Sequence, residues 1–433
     1  MDGACGARAH LVTTDYAALA EQLDARDPLA GFRAQFVIAD STECYLDGNS
    51  LGRLPKATVT AVNSLLSEWG NETVQGWQHW VDEAQRTGDL LGASVLGARP
   101  GQVLACDTTS VNFYQLCAAA IAARPGRRTI ITDAANFPTD RYILQGLAES
   151  LDLHLVLIDN ESDANECERV TAEQLRPLLS SDVALVSLQV VQYRSGARND
   201  VAALTDLVRD CGALLVWDAS HAVGAVPLDF DRNGVDLAVG CTYKYLNSGP
   251  GSPAWLFVSS AMQEQLQVPI HGWFAQADQF AMGAQFERAE GIRGFQIASP
   301  SLIGLRCINA SLEVIANAGI DAIASKAAEA TDLIIKVAAD WLAPLGFTVL
   351  TPKDARHRGG HIRLGHPDAA LICNALRIQH QVITDYRVPD SIRVAASPLT
   401  TSYAEVVEGL RRLRDCVASH CYQDVATTSG RIT

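Results

Sequence analysis

The chain has 433 residues, enough for two or three domains with packed cores, which excludes a small disulfide-held scaffold. Apolar residues make up 48% and charged residues 19%, a balance that a disordered chain does not have. Its 34 basic and 49 acidic residues leave a net charge of −15, so the average surface repels phosphate backbones and anionic lipid; neither nucleic acid nor membrane is an expected partner.

The first 27 residues scatter charges among polar side chains and contain no apolar core of the kind a signal peptide needs. No uninterrupted apolar run is long enough to span a bilayer, and the expectation is a cytoplasmic protein. Eleven cysteines, an odd number at irregular spacings with no C-x-x-C pair, read as mostly reduced core residues such as Cys117 and Cys241.

In chain order, β-rich runs stand at 128–132 (RTIIT), 153–158 (LHLVLI), 184–191 (ALVSLQVV), 213–218 (ALLVWD), 236–243 (DLAVGCTY) and 254–258 (AWLFV). Helical stretches lie between them, one of them VAALTDLVRDCG, with Gly212 as its expected C-cap. The alternation predicts an α/β layer around a mostly parallel sheet. From about residue 306 the pattern changes to longer amphipathic helices, followed by two strand signals, HIRLGH and SIRVAA, which suit a smaller α+β domain. The expected division is an N-terminal segment 1–54 packing with the small domain, a large domain 55–305 and a small C-terminal domain 306–433, with a frayed tail after Cys421.

Lysine is scarce: Lys56, Lys244, Lys326, Lys336 and Lys353 are all there are. Four read as solvated, Lys326 and Lys336 on amphipathic helices and Lys56 and Lys353 after prolines. Lys244 instead ends the apolar run DLAVGCTY and precedes YLNSGPGSP, a loop able to wrap tightly around a ligand. A buried lysine must be paired, deprotonated or covalently bonded. It therefore reads either as a Schiff-base lysine or as a strand-end lysine whose head snorkels to water.

Asp218 closes ALLVWD at a strand's C-terminal end, where ligands bind in open α/β sheets, and a protonated pyridine nitrogen would be a suitable partner. His221 follows three residues later, either beside the same ring or as a helix-start histidine. Thr108, Thr109 and Ser110 open an apolar helix, which is either an ordinary N-cap or an anion site. Taken together these supply a phosphate cradle, a pyridinium partner and a Schiff-base lysine, in that chain order. No Walker loop, dinucleotide fingerprint, nucleophile elbow or zinc-protease motif is present. His357 and His361 have i, i+4 spacing but flank Arg358, Gly359 and Gly360; they read as loop histidines, and no metal site is expected.

These residues, with YLDGNSLGRLP (45–55), DTTSVN (107–112), NFPTD (136–140), YRSG (193–196), VWDASHAVGAVP (216–227), GCTYKYLNSGPGSPA (240–254), GWF and FAM (272–282), GIRGF (291–295), RGGH (358–361) and VPDSIRVAASPLT (388–400), give the chain its resemblance to kynureninase. That family is a dimeric fold-type I pyridoxal-phosphate group of the aspartate aminotransferase superfamily, and the similarity runs over most of the chain. The resemblance implies pyridoxal 5'-phosphate as cofactor, Lys244 bonded to it, Asp218 on its ring nitrogen and Phe137 stacked on its face. Asp140 and His221 would surround it, and Thr109, Ser110 and Tyr243 would hold the phosphate. Trp273 and Ser299 would reach the phosphate region from the other subunit of a homodimer. Arg393 would clamp the substrate carboxylate and Trp77 would face its aryl ring.

The implied reaction is hydrolytic Cβ–Cγ cleavage of L-kynurenine, or a ring-substituted relative such as 3-hydroxykynurenine, to L-alanine and an anthranilate. Lys244 would shuttle protons and Tyr243 would serve as an acid. Rival readings are another fold-type I reaction, such as C–S lysis or desulfuration, and a catalytically silent scaffold. Three departures from the usual family pattern stand where the resemblance places cofactor or substrate: Ala275-Gln276 for Gly-His, Val190-Val191-Gln192 for His-Val-Asn, and Thr400 for a common Tyr.

Overall fold

Seven short apolar segments build the central sheet of the structure, a computed structural model that describes residues 14–161 and 166–425. They are β1 (Val103–Cys106), β2 (Thr129–Asp133), β3 (His154–Ile158), β4 (Val183–Gln189), β5 (Leu214–Asp218), β6 (Leu237–Gly240) and β7 (Ala254–Val258). Their order is β1-β7-β6-β5-β4-β2-β3, and β7 runs antiparallel to both its neighbours while the remaining pairs are parallel. Every residue of β4, β5, β6 and β7 is buried, as expected of strands covered on both faces. Strand β1 was not expected; four residues paired to a strand about 150 positions later leave almost no local signal.

The polar residues of these strands collect at their C-terminal ends. Asp133 closes β2, while Gln189 and Asp218 close β4 and β5 directly opposite one another. This row lies at the edge where open α/β sheets bind ligands. Strand β6 stops at Gly240 rather than running on to Tyr243. A Cβ at Gly240 would meet the Trp255 indole at 2.5 Å, and beyond it Thr242 and Lys244 accept turn hydrogen bonds from Ser248 and Asn247. Lys244 therefore sits in a turn beyond the strand. The C-cap of the helix Val201–Asp210 is Cys211, and Gly212, expected at the cap, follows one residue later with φ +74°.

The C-terminal sheet contains β8 (Thr348–Val349), β9 (His361–Gly365), β10 (Asp385–Arg387) and β11 (Ser391–Ala395), in the order β10-β11-β9-β8, with antiparallel pairing throughout. Register sets Arg393 opposite Asp385 on one side and Arg363 on the other. Buried residues fall into two clusters. One surrounds the central sheet and includes Leu305, Ile308 and Leu312 of the helix Leu302–Ala318; the other joins the C-terminal sheet to Tyr16, Ala20 and Leu23 of the N-terminal helix Tyr16–Arg26.

Three expectations need correction. Lys326 is buried, with its Nζ 2.7 Å from Asp27 and over the Tyr403 ring, because a paired ammonium can stay inside where a lone one cannot. His361 is no loop histidine: it opens β9 and is fully buried. The chain after Cys421 is still anchored at Tyr422, which is buried and bonds Asp368 through its hydroxyl (3.0 Å), while 426–433 lie outside the described residues. Residues 1–13 of the N-terminal segment lie outside them as well. Among the described residues no single helix is long and apolar enough to cross a membrane, and all ten cysteines are free.

Candidate active site

The turn after β6 carries Lys244, and its Nζ lies 2.8 Å from Nε2 of His221. Burial holds the Lys244 amine below the usual lysine range, with the Arg393 charge adding to the effect, and burial together with Lys244 holds His221 far below the imidazole range. His221 is neutral, and its Nδ1 has no partner. Asp218, buried at the end of β5, accepts the Ser220 N–H at 2.7 Å. Asp140, in the first turn of the helix Pro138–Leu151, is pushed well up by burial and by Asp218, and its Oδ2 is buried without a partner. Asp140 is therefore the member of the acid pair that keeps a proton.

The other residues expected at a cofactor come from the helix Thr109–Ala122, the entry to the helix Pro138–Leu151 and the Lys244 turn. Thr108 caps the helix Thr109–Ala122 through Val111 N at 3.3 Å, so Thr109 and Ser110 stand in a first turn whose N–H groups lack helical acceptors. Phe137, 37% exposed, meets Tyr193 edge to face at 5.2 Å. The Tyr243 phenol is pushed up by Cys241 and by burial, so it remains a proton donor at neutral pH. A buried amine beside a neutral imidazole, a strand-end carboxylate and a hydroxyl-rich helix start suit a cofactor with a carbonyl, a basic ring nitrogen and a phosphate. The orphaned Asp140 Oδ2 and His221 Nδ1 are polar atoms such a group would satisfy.

Arg393 is buried and tied on several sides. Its Nε and Nη2 grip Asp385 (Nε to Oδ1, 2.8 Å), Nη1 donates to Tyr193 O at 2.6 Å, and Nη2 donates to Ser50 Oγ at 3.0 Å. With its amide oriented to match, Asn49 also accepts from Nε and Nη2 at 3.1 Å. Sequence reasoning assigned no role to Asn49, Ser50 or Asp385, although Asn49 and Ser50 belong to the GNSLG motif. Gly52 of that motif donates its N–H to Tyr243 O at 2.8 Å, which docks the N-terminal segment onto the Lys244 turn. His361 also went unassigned: both its ring nitrogens are unpartnered, its ring lies 5.5 Å from that of His221, and burial lowers it to about 3.

Trp77, Trp273 and Ser299 form a separate group. Phe274 links Trp77 (6.2 Å) to Trp273 (5.2 Å), and Trp77 and Ser299 line an apolar cavity of about 560 Å³ with Leu65, Trp69, Val74 and Ile303. None of Lys244, Asp218, His221 or Arg393 lines that cavity.

Of the departures, Gln192 is buried and donates to Asp133 Oδ1 at 3.1 Å while accepting from Gln189 at 2.9 Å. Gln276 is spent inside the chain, accepting from Glu287 N at 2.8 Å and donating to Gln285 O at 3.4 Å. Thr400 is buried with its carbonyl on Arg33, and no bond or ring contact ties it to Lys244.

Comparison with known proteins agrees with this architecture. A protein-family model described as the kynureninase C-terminal domain matches residues 323–413. Among solved structures, a lysine-to-alanine mutant of C-DES with glycine covalently linked to its PLP cofactor superposes with a TM-score of 0.77 at 17% identity, covering 88% of this chain and 99% of that one. The apo cysteine desulfurase of Thermococcus onnurineus superposes with a TM-score of 0.76 at 16% identity, covering 91% and 99%. At those identities the likeness establishes the fold-type I architecture. The kynureninase of Burkholderia pseudomallei is 35% identical over 93% of this chain and 95% of its own length. That of Pseudomonas fluorescens is 38% identical over 90% of this chain and 93% of its own, and with that extent of identity the chain belongs to the kynureninase family.

Proposed function

We propose that this protein hydrolyses the Cβ–Cγ bond of L-kynurenine and of its 3-hydroxy derivative, releasing L-alanine and the matching anthranilate. The family establishes the coarser activity, a pyridoxal-phosphate enzyme that hydrolyses a carbon–carbon bond of a ketonic substrate. When bound, pyridoxal phosphate supplies an electron-accepting ring for the charge left at the substrate's Cα. Lys244 would hold the cofactor covalently and Asp218 would pair with its ring nitrogen; Thr109, Ser110 and Tyr243 would hold the phosphate, and Phe137, Asp140 and His221 would enclose the ring. Arg393, aimed by Asp385, takes the substrate carboxylate.

Lys244 Nζ is the amine placed to move protons at the substrate's Cα, and the neutral His221 at 2.8 Å orients it by accepting a hydrogen bond. Tyr243, kept protonated by its surroundings, donates in the cleavage step. Trp273 and Ser299 complete the site from the second subunit of a homodimer, and Trp77 faces the aryl ring. The free state of the ten described cysteines fits a reducing compartment, the cytoplasm.

One observation carries the reading: an amine lowered by burial beside a neutral histidine, at the end of a strand row that closes on Asp218. Desulfuration has only the fold in its favour. Cys241, next to the Lys244 turn, is buried with its Sγ against Ser220 O at 3.8 Å, so it cannot carry a mobile persulfide. The test is to incubate the cofactor-loaded protein with kynurenine and 3-hydroxykynurenine and to follow anthranilate and alanine, with borohydride labelling to locate the modified lysine. We expect both substrates to be cleaved and the label on Lys244. Sulfur release from cysteine without aryl acid from either substrate, or a label elsewhere, overturns the assignment.

A further inference from the structure

Three donors from separate stretches converge at the C-terminal end of the molecule. His380 is the C-cap of the helix Ala369–Gln379, Cys416 lies near the end of the helix Tyr403–Ala418, and Cys421 opens the short turn Cys421–Asp424. His380 Nε2 is 3.2 Å from Cys421 Sγ, which is 3.4 Å from Cys416 Sγ, and the three donor atoms all lie within 4.8 Å of one another. We propose that this cluster binds one borderline-soft divalent cation, zinc by its ligand chemistry, through the His380 imidazole and the Cys416 and Cys421 thiolates, with the fourth position left to water.

One imidazole and two thiolates are a zinc donor set, whereas carboxylate and carbonyl oxygens would suit magnesium or calcium. Zinc–sulfur bonds of about 2.3 Å and zinc–nitrogen bonds of about 2.0–2.1 Å place tetrahedral donors roughly 3.5–3.8 Å apart. The two short edges, 3.2 and 3.4 Å, need only open by a few tenths of an ångström. Cys416 is buried and the other two are partly exposed, which leaves one side open for the remaining ligand.

The backbone presents these donors. His420, a non-glycine residue at φ +57°, turns the chain so that Cys421 returns over the last helical turn, its Sγ within 3.5 Å of Cys416 O. Arg412 fixes the other side, donating to His380 O at 2.9 Å while its Nε holds Glu408 at 2.7 Å. The charged groups acting on His380 are Arg412 and Asp415; burial and Arg412 keep the imidazole neutral, as a ligand must be. Burial and the neighbouring Cys421 push Cys416 up to about 12, so without a cation the Cys416 thiol keeps its proton. Binding then exchanges two protons for one divalent ion: two S–H bonds break, two metal–sulfur bonds form, and the site becomes neutral. No motif announces the set, because positions 380, 416 and 421 meet only through the packing of two helices and a turn. The bound ion would clip the end of the C-terminal helix to the stretch that leads into β10, whose Asp385 holds Arg393.

The test is cobalt titration of the cofactor-loaded protein kept in a non-thiol reductant. We expect one equivalent to bind with a thiolate-to-metal charge-transfer band and intense tetrahedral ligand-field bands, both displaced by zinc. Cys421→Ser should weaken binding at least about tenfold and cut the charge-transfer intensity, and zinc should raise the melting temperature of the wild type only. Bands absent from the wild type, or persisting in the Cys416→Ser/Cys421→Ser double variant, overturn the proposal. A Cys416–Cys421 disulfide with no metal uptake after reduction does so too. If Cys416→Ser fails to fold, Cys421→Ser and His380→Ala, both at partly exposed positions, carry the same comparison.

Discussion

Asp140 and Asp218 lie close enough that burial and mutual repulsion keep a proton on Asp140, while Asp218 stands at the end of β5 where a ring nitrogen would come. Replacing Asp218 by Asn keeps the shape and the Ser220 contact but removes the negative charge that holds a pyridine nitrogen protonated. We expect Asp218→Asn to bind cofactor and to lose at least about a hundredfold in kcat, the scale seen when one electrostatic support is removed. Absorbance of the bound cofactor and steady-state rates check it; near-normal turnover would assign the ring nitrogen to another residue. Asp133 makes a second, separate case. It is raised to about 7 by burial although Asn160 and Gln192 donate to it. The folded state therefore binds a proton that the unfolded state has lost once the pH is above about 4. This contribution is fully present in acid and disappears as the pH rises to about 7. Asp133→Asn should match the wild type near pH 4 and exceed it by roughly 2–4 °C in melting temperature above pH 8. Parallel melting curves at both pH values would show that Asp133 is not protonated in the fold.

The turn after β6 is where local sequence and tertiary packing meet. Its lysine was legible because apolar residues lead into it and Gly and Pro follow, and Asp218 was legible because it ends an unbroken apolar run. The residues that aim Arg393 were not. Asp385 faces it only through the β10–β11 register, and Ser50 and Asn49 arrive on a segment that pairs no strand of the central sheet. His361 reads as a loop residue in the sequence because two glycines before it hide the start of β9. Those glycines are required by packing: a Cβ at Gly359 would meet Val191 at 2.7 Å and one at Gly360 the Tyr245 hydroxyl at 2.9 Å. The same argument yields a prediction at Gly52. A Cβ there would stand 2.4 Å from both Lys244 O and Asn247 Oδ1, and Asn247 is itself held at φ +59°. Gly52→Ala should cost about 1–3 kcal/mol of stability and loosen cofactor binding, since the Gly52 N–H anchors Tyr243 O. Thermal melts with and without cofactor check it, and an unchanged melting temperature would mean that the N-terminal segment swings clear without effect.

At the scale of the whole molecule, the residues of the expected site divide into two groups. Lys244, Asp218, His221 and Arg393 gather at the strand ends, while Trp77 and Ser299 line an apolar cavity, to which Phe274 links Trp77 and Trp273. That surface leaves Trp69 60%, Val74 74%, Ile303 49% and Trp273 47% exposed, an apolar patch of the kind that marks a contact site. A two-fold dimer places the same patch of each chain against its partner, so each site could combine one chain's lysine with the other chain's tryptophan. Such a division has a readout independent of any structure. Lys244→Ala lacks the covalent anchor and should be inactive, and Trp273→Ala should be strongly impaired. In a mixed dimer of the two, one site inherits both intact residues and the other inherits neither. Unfolding and refolding the variants together at equal amounts should therefore restore about a quarter of wild-type activity, half of the dimers being mixed and each carrying one good site. Each variant refolded alone sets the baseline, and light scattering reports assembly. If the mixture gives only the mean of the two variants while dimers form, Lys244 and Trp273 serve the same site from the same chain and the shared-site reading falls.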